Sequence, residues 1–167
     1  RLLEQSFPHM LWIGCMAHEV ALLFKDWAKI PAIQNLHTQC KQTSIWIRNH
    51  AAILVLFEEK VIKHWPHDRR KHSLSVYMPG DTRMVTTFKL VDCTVQLKGV
   101  LQSLVTDPDY DRAAQAAIKS YNSAAKEENR VAVRRDGTFG DKIKERLLCD
   151  DWWLLATNFL DASKAAL

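Results

Sequence analysis

The sequence predicts a mainly α-helical chain with one or two short strands. Over most of its length, apolar residues recur at three- and four-residue steps, which is the period of a helix buried on one side. The 167 residues include only five Gly and five Pro, too few for a loop-rich β protein. Residues 10–14 are the exception, because this short apolar run between Pro8 and Gly14 predicts a strand.

Two helical segments are predicted in the first half of the chain. The first begins near residue 17 and is closed by Pro31. The second covers residues 33–54, with a polar interruption at residues 48–50. Residues 63–75 break every period and form a basic loop, which a brief extended piece follows.

Helical spacing resumes after a Pro79-Gly80 turn and predicts that the second half of the chain is helical. One helical stretch covers residues 86–105, and Asp107 with Pro108 supplies a stop and a new helix start. An alanine-rich helix and one or two further helices follow. The residues expected inside the last stretch are Ile143, Leu147, Trp152, Leu155 and Phe159.

Composition narrows the functional classes. With 47% hydrophobic and 25% charged residues, the chain is globular, and no apolar run is long enough to predict a membrane span. The net charge of +4 permits a polyanionic partner without requiring one. Four scattered cysteines predict reduced thiols in the nucleus or cytoplasm. Because the chain begins with Arg1, we expect it to be part of a longer protein.

Cys15 and His18 are the first candidate site. Their spacing could place two metal ligands side by side on a helical turn. Zinc needs four ligands, however, and no second Cys/His pair follows at finger spacing, so we expect no metal in this chain. The alternative is that Cys15 is a buried cysteine and His18 a histidine at a helix start, and that neither has a chemical role.

The basic loop is the second candidate. It contains Arg69, Arg70 and Lys71 among three histidines. A solvated surface loop is one interpretation. The functional alternative is contact with phosphates, which would position a nucleic acid without reading its sequence. No motif for a small-molecule substrate is evident.

Several phrases, taken in order, resemble the catalytic region of hAT-superfamily transposases, in particular the domain of unknown function found in hAT-like proteins. They are Cys-x-x-His at residues 15–18, Asp-Trp-Ala-Lys-Ile-Pro at residues 26–31 and Pro-Gly-Asp-Thr-Arg at residues 79–83. The resemblance covers residues 1–111 and implies part of a ribonuclease-H-like α/β core. Residues 112–167 would then belong to its all-helical insertion or to C-terminal helices.

The resemblance also implies the chemistry of the parent protein. Such transposases hold two Mg²⁺ with two Asp and one Glu for phosphoryl transfer. The matching positions fall before Arg1 and after the insertion, so this chain is expected to carry none of these carboxylates and to cut no DNA. Cys15, His18, Arg83 and Met84 would flank the active site, with Met84 at a position where active relatives carry tryptophan.

Two functions of different class follow from these observations. The first is a transposase-derived, DNA-associated segment in the nucleus, whose phosphate contacts are Arg69, Arg70, Lys71 and Arg83. The second is a domesticated or decayed helical module that docks a partner protein or a second copy of the chain.

Overall fold

The computed structural model describes residues 22, 26–27, 29–68, 71, 75–77, 84–127 and 138–165. These ranges contain seven α-helices and no strand, which confirms the prediction of a mainly helical chain. The helices are α1 (Pro31–Asn49), α2 (Ala51–His64), α3 (Met84–Gln96), α4 (Lys98–Val105), α5 (Tyr110–Glu127), α6 (Thr138–Leu148) and α7 (Asp150–Ala165). The strand predicted at residues 10–14 lies outside the described residues.

The short helix α4 occupies the centre of the bundle. It packs against α2, α3, α5 and α6. Four of its eight residues, Val100, Leu101, Leu104 and Val105, are at most 1% exposed. Outside this centre, α1 packs on α2 and α3, and α7 packs on α3 and α6. The core therefore forms around one helix and is closed by its neighbours.

Helix α1 ends where the sequence predicts a polar interruption. His50 has an extended backbone, with φ −122° and ψ 103°, and separates α1 from α2. Its imidazole Nδ1 donates to the Trp46 carbonyl oxygen, one turn earlier, at 2.7 Å. The side chain thus satisfies a carbonyl group at the end of α1, where intrahelical donors run out.

A turn at Asp107 leads into α5, close to the helix start that the sequence predicts. The Asp109 backbone N–H donates to Asp107 Oδ1 at 2.8 Å in this turn, and α5 begins at Tyr110. Asp107 also forms an ion pair with Lys60 of α2, and the two side chains are only 16% and 14% exposed. The lysine and then the Asp109 N–H hold the pKa of Asp107 below its usual value.

A buried hydrogen-bond chain joins three other helices. Trp46 Nε1 of α1 donates to Tyr110 Oη of α5 at 3.2 Å, and the Tyr110 hydroxyl donates to the Gly140 carbonyl of α6 at 3.3 Å. Burial raises the pKa of Tyr110 to about 12, so the phenol stays protonated as a donor. Each of these three polar groups has a hydrogen-bond partner, which offsets the cost of burying it.

Some sequence predictions need correction. The predicted helix over residues 86–105 is interrupted at Leu97, and Lys63 and His64 belong to α2 rather than to the basic loop. Leu155, expected inside, is 39% exposed. The buried stripe of α7 is centred on Trp152 and Ala156, and the helical rotation places Leu155 about 100° from that centre, at its edge.

Residues 75–77, within the predicted extended piece, form neither helix nor strand. They still contribute to the core, since Val76 is buried and the Cys93 thiol donates to the Ser75 carbonyl. None of the helices in the described ranges combines the length and apolarity that a bilayer crossing requires.

Leu101→Ala tests the central position of α4. The Leu101 side chain is fully buried, so its truncation leaves a cavity and is expected to cost about 3 kcal/mol of unfolding free energy. Leu154→Ala is the matched control, because Leu154 is 59% exposed and its truncation should cost less than about 0.5 kcal/mol. Urea unfolding of both variants measures the difference; equal losses would contradict a core centred on α4.

Asp107→Asn tests the ion pair separately from the turn before α5, since an Asn side chain still accepts the Asp109 backbone N–H. Because the pKa of Asp107 is lowered in the folded state, its contribution is present above the usual pKa and is lost as the pH falls through the folded-state pKa. We expect a loss of about 2 kcal/mol at neutral pH. The variant should also lose less stability than the wild type on acidification below about pH 5.

Urea unfolding at a series of pH values measures both effects of the Asp107 substitution. Parallel stability curves for wild type and variant would show that the Lys60–Asp107 pair does not stabilise the fold.

Candidate nucleic-acid interface

The structure describes only part of the predicted site. Five of the predicted residues lie outside the described residues: Cys15, His18, Arg69, Arg70 and Arg83. Met84 is the first residue of α3. Lys71 is exposed and lies against Trp65, so it connects the predicted basic loop to α2.

The last turn of α2 and the loop after it expose several basic side chains. Lys63, His64 and His67 are exposed. α2 ends at His64, and the backbone N–H of the next residue, Trp65, still bonds to the Val61 carbonyl. The Lys71 ammonium lies 5.2 Å from the centroid of the Trp65 ring, within the range of a cation–π contact. The indole thus holds the loop cation beside the helix end.

The first turn of α4 lies against this helix end. A Cβ atom on Gly99 would be only 2.6 Å from His64 Cε1, so the imidazole rests directly over the glycine backbone. The His64 ring also contacts Trp65 edge-on, with centroids 4.6 Å apart. This contact brings Lys98, next to Gly99, to the same end of the bundle.

We call this surface the basic end, defined as Lys63, His64, His67, Lys71 and Lys98. Carboxylates also lie near it: Asp68 is 3.9 Å from Lys71, Asp107 pairs with Lys60, and Glu59 is exposed on α2 one turn before Lys63. The charge of Lys63 also helps to lower the pKa of Asp107. Among the described residues, neither Lys63 nor Lys98 forms an ion pair within 4.0 Å. The basic end can therefore present positive charge to an anionic partner.

Sequence reasoning identified the loop half of the basic end and missed the half on α4. Lys98 and Gly99 are far from the loop in sequence, and no local pattern marks Lys98. Gly99 did carry a signal, since an isolated glycine inside a helical pattern often marks a close approach of another group.

A second polar cluster joins α1 to α6 and α7. The Arg146 guanidinium donates to the Gln39 carbonyl at 2.9 Å and to Gln42 Oε1 at 3.2 Å. Trp152 Nε1 donates to Gln39 Oε1 at 2.6 Å. These donors and acceptors satisfy one another within the protein, so the cluster fixes helix positions rather than offering free groups to a ligand.

Cys40 of α1 does not have the properties of a reactive thiol, and His37 of the same helix contacts Thr87. Burial raises the pKa of the Cys40 thiol to about 12, so it carries no thiolate at neutral pH. Burial lowers the pKa of His37, whose Nδ1 lies 3.0 Å from the Thr87 hydroxyl. In the described part of the chain, no three His, Cys, Asp or Glu side chains are grouped to hold a metal ion.

Large apolar side chains are exposed at two other places. Val55 and Ile62 lie two turns apart on one face of α2, at 53% and 52% exposure. Leu148, Leu154 and Leu155 are exposed around the junction of α6 and α7. Exposed apolar side chains in such groups are compatible with a protein contact.

No protein-family model, curated protein or solved structure matches the chain. The resemblance to hAT transposases therefore stays a prediction from the sequence motifs.

Proposed function

We propose that the chain is a DNA-associated segment derived from an hAT-superfamily transposase and that its basic end contacts DNA phosphates. The observation that carries this proposal is the convergence of Lys63, His64, His67 and Lys71 on one exposed end of the bundle. Arg69 and Arg70 are adjacent to this surface in sequence and add to its charge. A protein with this role would act in the nucleus.

The contacts available at the basic end favour phosphate binding over base readout. Lysine ammonium groups are compact point charges, which suit phosphate oxygens. The Trp65 ring is half-buried, and the Lys71 ammonium lies over it. The lysine therefore already occupies the face of the ring on which a base would stack. We therefore infer binding that depends on charge and not on base sequence.

In this proposal residues 1–111 are part of a ribonuclease-H-like region, and residues 112–167 are helical insertion or C-terminal helices. The Mg²⁺-binding carboxylates belong to other parts of the parent transposase, as the sequence motifs imply. The role left to this chain is to hold DNA, with Cys15, His18, Arg83 and Met84 beside the parent active site.

A protein-interaction module is the second candidate. The exposed pairs Val55 with Ile62 on α2 and Leu154 with Leu155 on α7 support it. In that case the chain would bind a partner protein or a second copy, and the basic charge would only keep the surface solvated. A molecular mass that rises with protein concentration, without DNA binding, would favour this function over the first.

The double substitution Lys63→Gln and Lys71→Gln tests DNA binding. If four phosphates are contacted, the affinity of the wild type for duplex DNA should fall about a hundredfold between about 50 and 200 mM salt. The variant should reduce the slope of log affinity against log salt by about 2. Fluorescence anisotropy with a labelled duplex measures both.

The matched control for that experiment is Lys142→Gln with Lys164→Gln, which removes the same charge from exposed positions on α6 and α7. We expect this control to keep the wild-type slope. An equal effect of the two double variants would contradict a binding site at the basic end, and absence of binding at low salt would contradict the proposed function.

Incubation with a nicked or hairpin DNA tests the expected lack of catalysis. With Mg²⁺ or Mn²⁺ present, we expect the chain to leave the DNA intact, because the resemblance places the three metal-binding carboxylates outside it. Gel electrophoresis of end-labelled DNA is the measurement. Reproducible cleavage, abolished by EDTA, would contradict this assignment.

A further inference from the structure

We propose that Lys98, at the start of α4, is a further phosphate-contacting residue and that Gly99 positions the end of α2 beside it. This inference rests on the proposed function, because it adds a second element to the same binding surface. It assigns a binding role to a helix whose other side forms the centre of the core.

The His64 ring lies over the Gly99 backbone where the two helices meet. A Cβ at residue 99 would lie 2.6 Å from His64 Cε1, closer than two carbon atoms approach without one of them moving, and 3.1 Å from Nε2. The absence of a side chain therefore allows the imidazole to lie over the α4 backbone. Any larger residue at this position would displace the ring of His64.

Displacement of His64 would be passed on to the loop. The imidazole contacts the Trp65 ring edge-on, at an interplanar angle of 85°. The Lys71 ammonium in turn lies over the Trp65 ring. A continuous series of contacts thus runs from Gly99 through His64 and Trp65 to Lys71. The glycine allows the first of these contacts, because it has no side chain that would displace the His64 ring.

Lys98 is held in place by a different indole. Its ammonium lies 5.4 Å from the centroid of the Trp153 ring. Trp153 is 2% exposed and donates from Nε1 to the Leu147 carbonyl at 2.8 Å, so its ring is fixed in the core. A lysine positioned on a fixed ring loses less conformational entropy when it binds a phosphate than a freely rotating one.

The basic end therefore contains two ammonium groups that are each positioned by an indole, one on α4 and one in the loop, with His64 between the elements that carry them. The chemistry required of the ligand is a series of phosphates, which duplex DNA supplies.

Lys98→Gln tests the first half of the inference, with Lys164→Gln as its matched control. Both remove one positive charge, but Lys164 is in the last turn of α7, about 16 Å along that helix from Trp153. With a labelled duplex, we expect Lys98→Gln to weaken binding about three- to tenfold at low salt and to reduce the salt slope by about 1. Lys164→Gln should change neither.

Gly99→Ala tests the positioning role. Alanine is the better helix former, so the melting temperature should stay equal to that of the wild type or rise, while DNA affinity falls about threefold. Loss of affinity without loss of stability is a result that a purely structural role would not produce. In a His64→Ala background, Gly99→Ala should have no further effect on affinity, because the ring that it displaces is absent.

The outcomes separate the inference from the proposed function. If the wild type binds duplex DNA with a steep salt dependence but Lys98→Gln behaves like Lys164→Gln, the role of Lys98 is wrong and the proposed function stands. An unchanged affinity in Gly99→Ala would likewise overturn the positioning role alone. If the wild type shows no binding at low salt, the proposed function fails and this inference fails with it.

Discussion

Helix α4 has eight residues, too few to be helical in water on their own, so its structure depends on the helices around it. The dependence is mutual. Four side chains of α4 are at most 1% exposed: Val100, Leu101, Leu104 and Val105. Without them, the helix that α2, α3, α5 and α6 all contact would be lost. The neighbouring helices must therefore pack so that they bury α4, since the removal of apolar area from water supplies most of the stabilisation.

Directional contacts then determine how the surrounding helices are placed. Hydrophobic burial alone tolerates several arrangements, whereas a buried donor must meet a particular acceptor. Trp46, Tyr110 and Gly140 connect α1, α5 and α6 in this way, and Lys60 with Asp107 connects α2 to the start of α5. Because each group would be costly without its partner, these contacts select one packing among those that the apolar faces allow.

The same helix α4 links the core to the candidate interface. Its buried side anchors the bundle, while its first turn meets the end of α2 through Gly99 and His64. One lysine of the basic end, Lys98, is therefore attached to the helix at the centre of the core. In the proposed function, this attachment limits the ordering that the lysine would need when it meets a phosphate.

The sequence by itself determined the helical class, the polar interruption at residues 48–50 and a new helix soon after Asp107, because helical period and turn chemistry are local properties of the chain. It also supplied the motifs that resemble hAT transposases, of which Cys15 and His18 lie outside the described part. Only the tertiary structure decided that Leu155 is exposed and that Gly99, next to Lys98, lies against the end of α2. Those outcomes depend on which helix faces meet across long sequence separations, and a local pattern carries no information about that choice.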